Sequence, residues 1–283
     1  MVNIAEGSRA LATIAMASPS PKADQRIPIF DTHIHYSRAA WQSYGPARIL
    51  EVLDAAGVPR ALVSSTPDDG TLRLHAAARD RVVPLLRPYR SRADMADWFR
   101  NQDILDYVVA RLDSGRYRGI GEFHLFEDGD AGTPQITRLA RLAAARGLVL
   151  HVHAGAGPIR ALFAMEPGLQ ILWAHAGMGA PPEAIGGLLA GYPGLTTELS
   201  FRAADIAPEG RLDPAWRGLF VRHADRFMIG TDTYVTARWD MYRDLVDEHR
   251  RWLAQLPADV AKAIAYGNAV REFGAGNRAA FED

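Results

Sequence analysis

The strongest constraint on the fold of this chain is an alternation of two hydrophobic patterns that begins at residue 27. Short apolar or β-branched runs, typical of buried strands, are each followed by a stretch with the spacing of an amphipathic helix. The runs recur near the ~30-residue repeat of a β-α-β unit. The eight strand candidates are residues 27–34, 61–65, 82–86, 119–125, 148–153, 169–174, 196–200 and 227–231.

This alternation predicts an α/β fold in which helices cover a parallel sheet. Eight units favour closure into a (β/α)8 TIM barrel, for which about 250 residues is typical. An open doubly wound sheet is the alternative, but the glycine-rich fingerprint of that fold is missing after the first strand. The predicted helices are residues 48–56, 71–79, 103–111 and 136–145, one that begins at Pro182, and an extra C-terminal helix over 256–273, packed on the outside.

The N-terminal segment lacks this alternation. We predict an N-terminal arm over residues 1–26 and a single barrel domain over residues 27–283. The apolar run over residues 10–17 ends in Ala15-Met16-Ala17, which fits a signal-peptide cleavage site, but no net positive charge precedes it. The segment is therefore either an arm or the remnant of an export signal. A cytoplasmic location is slightly favoured, and a periplasmic or secreted one follows if residues 1–17 are a signal remnant.

Composition narrows the range of partners. The formal net charge is -1, which gives no electrostatic case for nucleic acid or an anionic membrane surface. No run approaches the ~20 apolar residues of a membrane-spanning helix. The expected partner is a small-molecule substrate, and homo-oligomerisation is left open. Because the chain has no cysteine, a metal would be held by imidazole and carboxylate groups, which suit zinc, manganese, iron or nickel.

Side chains that can bind a metal stand where predicted strands end. Functional groups of a barrel lie at the C-terminal ends of its strands. Side chains alternate along a strand, so His33 and His35 of the first strand share a face, with Asp31 one step deeper as a hydrogen-bond acceptor that could fix a ligand's tautomer. Further ligand-type residues end later strands: His151 and His153 on the fifth, His175 on the sixth, and Asp232 on the eighth.

The fourth strand carries Glu122 and His124 on one face. A carboxylate within an apolar strand needs a partner, because burying it unpaired costs several kcal/mol. Glu122 therefore either pairs with an arginine or binds and bridges to a second metal, and both readings stay open. Candidate substrate-binding residues include three arginines that could bind a carboxylate or else form loop salt bridges. The full set is Arg87, Arg90, Arg202, His151, His124 and Ser65.

These motifs, in this order, resemble the amidohydrolase superfamily and specifically its amidohydrolase-related (amidohydrolase 2) family, over about residues 28–273. Phe30-Asp31-Thr32-His33-Ile34-His35 resembles the family's strand-one motif. His153, His175 and Asp232 fall at its strand-five, strand-six and strand-eight positions. Tyr266-Gly267-Asn268-Ala269 resembles the segment that packs the last helix. Two departures stand out: His151 is an additional histidine, and Glu122 stands where two-metal relatives have a bridging group.

The resemblance implies a metal-dependent hydrolase with one divalent ion, zinc first and manganese second. Its ligands would be His33, His35, His153 and Asp232, with a second ion if Glu122 bridges. It further implies that a metal-activated water attacks a small ester, lactone or amide. Asp232 would accept the proton, and His175 would hydrogen-bond the water or the developing oxyanion. The alternatives are non-oxidative decarboxylation of an unsaturated or aromatic acid at the same site, and a non-catalytic metal- or ligand-binding barrel.

Overall fold

The computed structural model describes residues 26–274 together with residues 276 and 281. Eight parallel strands form one sheet in sequential order, as predicted for a (β/α)8 barrel. The strands are β1 (Phe30–His35), β2 (Arg60–Ser64), β3 (Val82–Leu86), β4 (Gly119–Leu125), β5 (Val149–Ala154), β6 (Gln170–Trp173), β7 (Leu195–Glu198) and β8 (Phe227–Met228).

Helices connect the strands and cover the sheet. The α-helices are α1 (Pro46–Ala55), α2 (Asp69–Ala77), α3 (Gln102–Leu112), α4 (Pro134–Arg146), α5 (Ala156–Met165), α6 (Pro182–Gly191), α7 (Ala203–Ile206), α8 (Pro214–Arg222), α9 (Ala237–Asp240), α10 (Tyr242–Leu253), α11 (Ala258–Lys262) and α12 (Asn268–Phe273). Short 3₁₀ helices cover Arg38–Ala40, Arg92–Ala96, Trp98–Arg100, Asp128–Gly132, Ala174–Gly177 and Pro208–Gly210, and a π-helical turn covers Ala263–Gly267.

The last strand meets the first through few backbone contacts. Asp31 and Ile229 form a parallel bridge, and the Thr32 amide donates to the Ile229 carbonyl at 2.8 Å. The buried Asp31 carboxylate adds a side-chain link, accepting hydrogen bonds from the Thr231 hydroxyl at 2.6 Å and the Tyr242 hydroxyl at 2.7 Å. The seam between β8 and β1 is therefore held largely by side chains next to the strand ends where the candidate ligands stand.

The sequence predicted the strands within a few residues. The differences lie at the seam: the sheet begins at Phe30 rather than residue 27, and β8 has two residues, followed only by the isolated bridge of Ile229. The predicted C-terminal helix over 256–273 is divided by the π-helical turn. It also contacts the seam, since Asn268 donates to the carbonyl of Phe227 at 2.8 Å.

The predicted N-terminal arm over residues 1–26 lies outside the described residues except for Arg26, and the signal-remnant hypothesis with it. Among the described residues, no helix is long and apolar enough to cross a membrane.

Candidate metal centre

Ligand-type side chains from β1, β4 and β5 and from the segments after β6 and β8 meet at the C-terminal mouth of the barrel. Strand alternation directs His33 and His35 of β1 to the same interior face. All members of the group are buried except His153, whose side chain is 27% exposed. The group consists of His33, His35, Glu122, His153, His175 and Asp232.

The first cluster is formed by His33, His35, Asp232 and one oxygen of Glu122. The two Nε2 atoms are 3.1 Å apart, and they lie 3.6 and 3.3 Å from Asp232 Oδ1, in the order His33 and His35. From Glu122 Oε2 they lie 3.5 and 3.2 Å. Donor atoms at ~2.0–2.2 Å from one tetrahedral zinc ion are roughly 3.3–3.6 Å from each other. The observed separations therefore match a set of ligands around one ion.

The second cluster uses the other oxygen of the same carboxylate. Glu122 Oε1 lies 2.9 Å from His153 Nδ1 and 3.4 Å from His175 Nε2, and these two nitrogens are 3.1 Å apart. Glu122 thus lies between two pairs of imidazoles, one pair for each carboxylate oxygen. The predicted ligand His153 belongs to this second cluster, together with His175.

The residues fit a divalent cation on grounds independent of the family. Within the described part of the chain, Asp232 Oδ1 is buried and has no hydrogen-bond donor. A buried unpaired carboxylate oxygen is costly, and a cation would satisfy it. The donor set is nitrogen and oxygen only, as zinc or manganese accepts.

Glu122 also pairs with an arginine. Arg87 donates from Nη2 to Glu122 Oε2 at 2.9 Å and from Nε to the Glu122 carbonyl at 3.0 Å. Burial alone would raise the pKa of the Glu122 carboxyl, but nearby His33 and His124 and hydrogen bonds from His153 and His175 hold this pKa well below its ordinary value. The arginine pairing, one of the two readings that the sequence left open, is therefore observed, and the bridge to a second metal stays a prediction.

Glu198 at the end of β7 is an important group whose role sequence reasoning missed. Its Oε1 accepts from His33 Nδ1 at 2.9 Å, which turns His33 Nε2 toward the first cluster. Burial would raise the Glu198 pKa, but His33 and His175 hold it well below the ordinary value. We expected Asp31 in this role, but Asp31 accepts from the backbone amide of His33, not from its ring. The sequence signal that could have revealed this role was a carboxylate, Glu198, at the end of a buried strand.

The other ligand rings are also oriented by contacts away from the centre. His35 Nδ1 lies 2.9 Å from the Ser64 carbonyl, so the ring donates there and leaves Nε2 free for the cluster. His175 Nδ1 lies 2.7 Å from Ser200 Oγ. Such contacts fix which nitrogen of an imidazole can bind a metal.

Three of the predicted substrate-binding residues line a pocket of 960 Å³ above the two clusters. Arg87 is held on Glu122, whereas Arg90 makes two side-chain contacts with Asp94, at 3.2 and 3.1 Å. His124 stacks on the ring of His153, with 4.5 Å between ring centroids.

The other three lie outside the lining of that pocket. His151 is buried one step deeper, with its ring 4.5 Å from that of His33. The Ser65 hydroxyl accepts from the Tyr36 amide. Arg202 is buried and donates to three backbone carbonyls, those of His175, Ala176 and Ala180. Their contacts hold the loops around the centre.

The fold and the site together define a barrel of the metal-dependent hydrolase class. The amidohydrolase family model matches residues 30–275, and the chain belongs to the amidohydrolase family. This agrees with the resemblance found in the strand-end motifs. No curated protein matches the chain by sequence.

Several solved structures share the fold. One is a zinc-bound amidohydrolase from Burkholderia multivorans, at 18% identity and TM-score 0.58, covering 87% of this chain and 99% of that chain. A candidate 2-pyrone-4,6-dicarboxylic acid hydrolase from Pseudomonas putida has 18% identity, TM-score 0.62 and coverage of 87% and 97%. A 2,6-dihydroxybenzoate decarboxylase complexed with 2,6-dihydroxybenzoate has 12% identity, TM-score 0.57 and coverage of 87% and 99%. At such identities the likeness establishes the fold.

Proposed function

We propose that this chain hydrolyses a small ester, lactone or amide at a centre that holds two divalent cations. The observation that carries the proposal is the position of Glu122, whose two oxygens face separate pairs of imidazoles. His33, His35, Asp232 and Glu122 would hold the first cation. Glu122, His153 and His175 would hold the second.

Zinc is the proposed metal, and manganese is the alternative. Imidazole nitrogens outnumber carboxylate oxygens in the centre, which favours zinc over magnesium or calcium. The related structure from Burkholderia multivorans contains bound zinc. Metal analysis of the purified protein decides between the two metals.

The chemistry divides between the cations and the side chains. A divalent cation held in this centre would acidify a bound water and polarise a carbonyl oxygen. Asp232 lines the pocket and would hold the first cation through Oδ1, so its carboxylate would contact both the cation and the attacking water and could accept a proton from that water. His175 directs Nε2 to the same space, 4.0 Å from Asp232 Oδ2. With a single bound cation, this nitrogen would instead hydrogen-bond the water or the developing oxyanion.

Non-oxidative decarboxylation is the second candidate. It is supported by arginines at the pocket, among them Arg38 and Arg92, which could hold a departing carboxylate. The dihydroxybenzoate decarboxylase with the same fold acts at such a group.

The test uses the purified protein with its metal content measured. It is incubated with a panel of lactones, esters, amides and aromatic carboxylates, and product formation is followed in ¹⁸O-labelled water. Hydrolysis places ¹⁸O in the product acid, whereas decarboxylation removes the carboxyl group as carbon dioxide and adds no ¹⁸O to the remaining product. A metal-loaded protein that converts no member of a broad panel would favour the non-catalytic barrel.

A further inference from the structure

The pocket above the candidate metal centre has an apolar sector. Three large hydrophobic side chains line it and are unusually exposed for their type: Met178 at 43%, Phe201 at 44% and Tyr234 at 55%. They follow β6, β7 and β8, so they form one continuous part of the rim. Exposed apolar side chains grouped inside a concave site indicate contact with an apolar part of a ligand.

The backbone holds this sector in an unfavourable conformation. Met178 and Phe201 have positive φ values of 59° and 63°, in a region that side-chain-bearing residues seldom occupy. Such residues concentrate at ligand sites, where the surrounding structure imposes them. Phe201 is fixed further by the Arg238 guanidinium, 4.3 Å from its ring centroid, and its ring lies 5.6 Å from that of His175. Two of the three residues of the apolar sector therefore have a backbone imposed by their surroundings, and Phe201 lies beside the candidate metal centre.

A cationic sector occupies another part of the rim. Arg38 follows β1, and Arg90 and Arg92 follow β3. Arg90 is neutralised by Asp94. Within residues 26–274, no carboxylate lies within ion-pair distance of Arg38 or Arg92. The Arg38 guanidinium lies 5.4 Å from the centroid of the Trp41 ring. This contact positions the guanidinium and does not neutralise its charge. Two uncompensated positive charges thus face the same pocket as the apolar sector.

We propose that the substrate is an amphipathic acid, with an aromatic or branched apolar group and a separate anionic group. The apolar group would pack on Met178, Phe201 and Tyr234, and the anion would lie at Arg38 and Arg92. The carbonyl that reacts would lie between them at the metal centre. This inference rests on the proposed function, because it takes the pocket above the clusters as the substrate site.

The test is calorimetric binding to the purified, metal-loaded protein with three probes. These are 4-phenylbutyrate, which has both groups, 4-phenylbutyramide, which lacks the charge, and acetate, which lacks the apolar group. We expect 4-phenylbutyrate to bind at least about tenfold more tightly than either of the others, since it alone can contact both sectors.

Variants separate the two sectors. Phe201→Ala should weaken the binding of 4-phenylbutyrate at least about fivefold and leave the affinity for acetate unchanged. Arg38→Met combined with Arg92→Met should abolish the preference for the acid over the amide. The matched controls, Val221→Ala and Arg222→Met on the exposed face of α8, should change neither affinity.

Affinity for 4-phenylbutyrate that survives the double arginine variant would mean that the carboxylate binds the metal centre instead, and would overturn the proposal. Equal binding of acid and amide, or no binding of either, would do the same. The panel of candidate substrates, tested on the same preparations, distinguishes a failure of this inference from a failure of the proposed function. Hydrolysis of neutral lactones without phenylbutyrate binding refutes this inference alone, whereas phenylbutyrate binding without any turnover refutes the proposed function.

Discussion

His33 Nδ1 lies 2.9 Å from Glu198 Oε1, so a residue of β1 is oriented by a carboxylate from β7. The same carboxylate accepts hydrogen bonds from the backbone amides of His175 and Ser200, at 2.6 and 2.7 Å. All three of these groups donate to Glu198, so each of them needs an oxygen of this side chain as its acceptor. This arrangement ties the proposed ligands of both clusters to one buried group.

Glu198→Gln should weaken metal binding. The amide keeps one acceptor oxygen, but its NH₂ group must face a donor, which leaves His33 misoriented. Loss of such a supporting contact lowers metal affinity by about 10–100-fold. Competition with a chromogenic zinc chelator measures the change. Glu51→Gln, on the exposed surface of α1, is the control and should keep the parent affinity; an equal affinity for Glu198→Gln would remove its orienting role.

The parent protein should contain two divalent ions per chain. His153→Ala and His175→Asn should each reduce the content to about one, because a ring nitrogen of each residue faces Glu122 Oε1 in the second cluster. Glu122→Gln should reduce the metal content of both clusters, since its carboxylate faces both of them. Elemental analysis of dialysed protein gives the counts, with His223→Ala as a control outside the site. One ion per chain in the parent would contradict the two-cation centre and return His175 to the role of hydrogen-bond donor.

Asp232→Asn should retain most of the metal but lose turnover. The amide keeps the shape and one ligand oxygen of the carboxylate but cannot accept the proton. General base assistance is worth about 10²–10⁴-fold, so kcat should fall by that order. His33→Ala, by contrast, should lose metal and activity together. Turnover by Asp232→Asn within a few-fold of the parent would exclude the proposed base.

Glu272→Gln should stabilise the protein in alkaline solution. Burial, partly opposed by the Thr196 hydroxyl, raises the pKa of Glu272 from 4.5 to about 7. Below pH 4.5 the carboxyl is protonated in both states and contributes nothing. As pH rises to 7, the unfolded state loses its proton first, so folding is progressively disfavoured.

The free energy of unfolding at pH 8 should therefore be about 1 kcal/mol or more higher in Glu272→Gln than in the parent, since one pKa unit corresponds to about 1.4 kcal/mol. At pH 4.5 the two proteins should be nearly equal. Urea denaturation at both values measures this, with Glu51→Gln as control. The same increment at both values would show that the effect is packing and not ionisation.

The sequence predicted the barrel because apolar strand runs alternate with stretches of helical periodicity along the chain. It failed at the β8–β1 seam, where the ladder is short and Asp31, Thr231 and Tyr242 supply the closure. No periodicity encodes a link between residues that lie so far apart in the chain.

Strand alternation also predicted that His33 and His35 share a face and that His153 lies nearer the mouth than His151, which is buried. It could not show which carboxylate orients His33, because Asp31 and Glu198 both lie on strands that lead to the same rim. Nor could it show that Arg202 is directed at backbone carbonyls. Such choices depend on side-chain geometry between strands, which a one-dimensional pattern does not contain.

The Asp31 carboxylate joins β1 to Thr231, a residue 200 positions later in the chain, which directly precedes Asp232. During synthesis, all the histidines of the centre therefore emerge before the group that closes it. A nascent chain that ends before residue 232 has a β1 edge without its final neighbour and imidazoles without their last carboxylate. The first cluster therefore lacks its last proposed ligand until residue 232 has been added and the barrel can close, whereas every proposed ligand of the second cluster is already present.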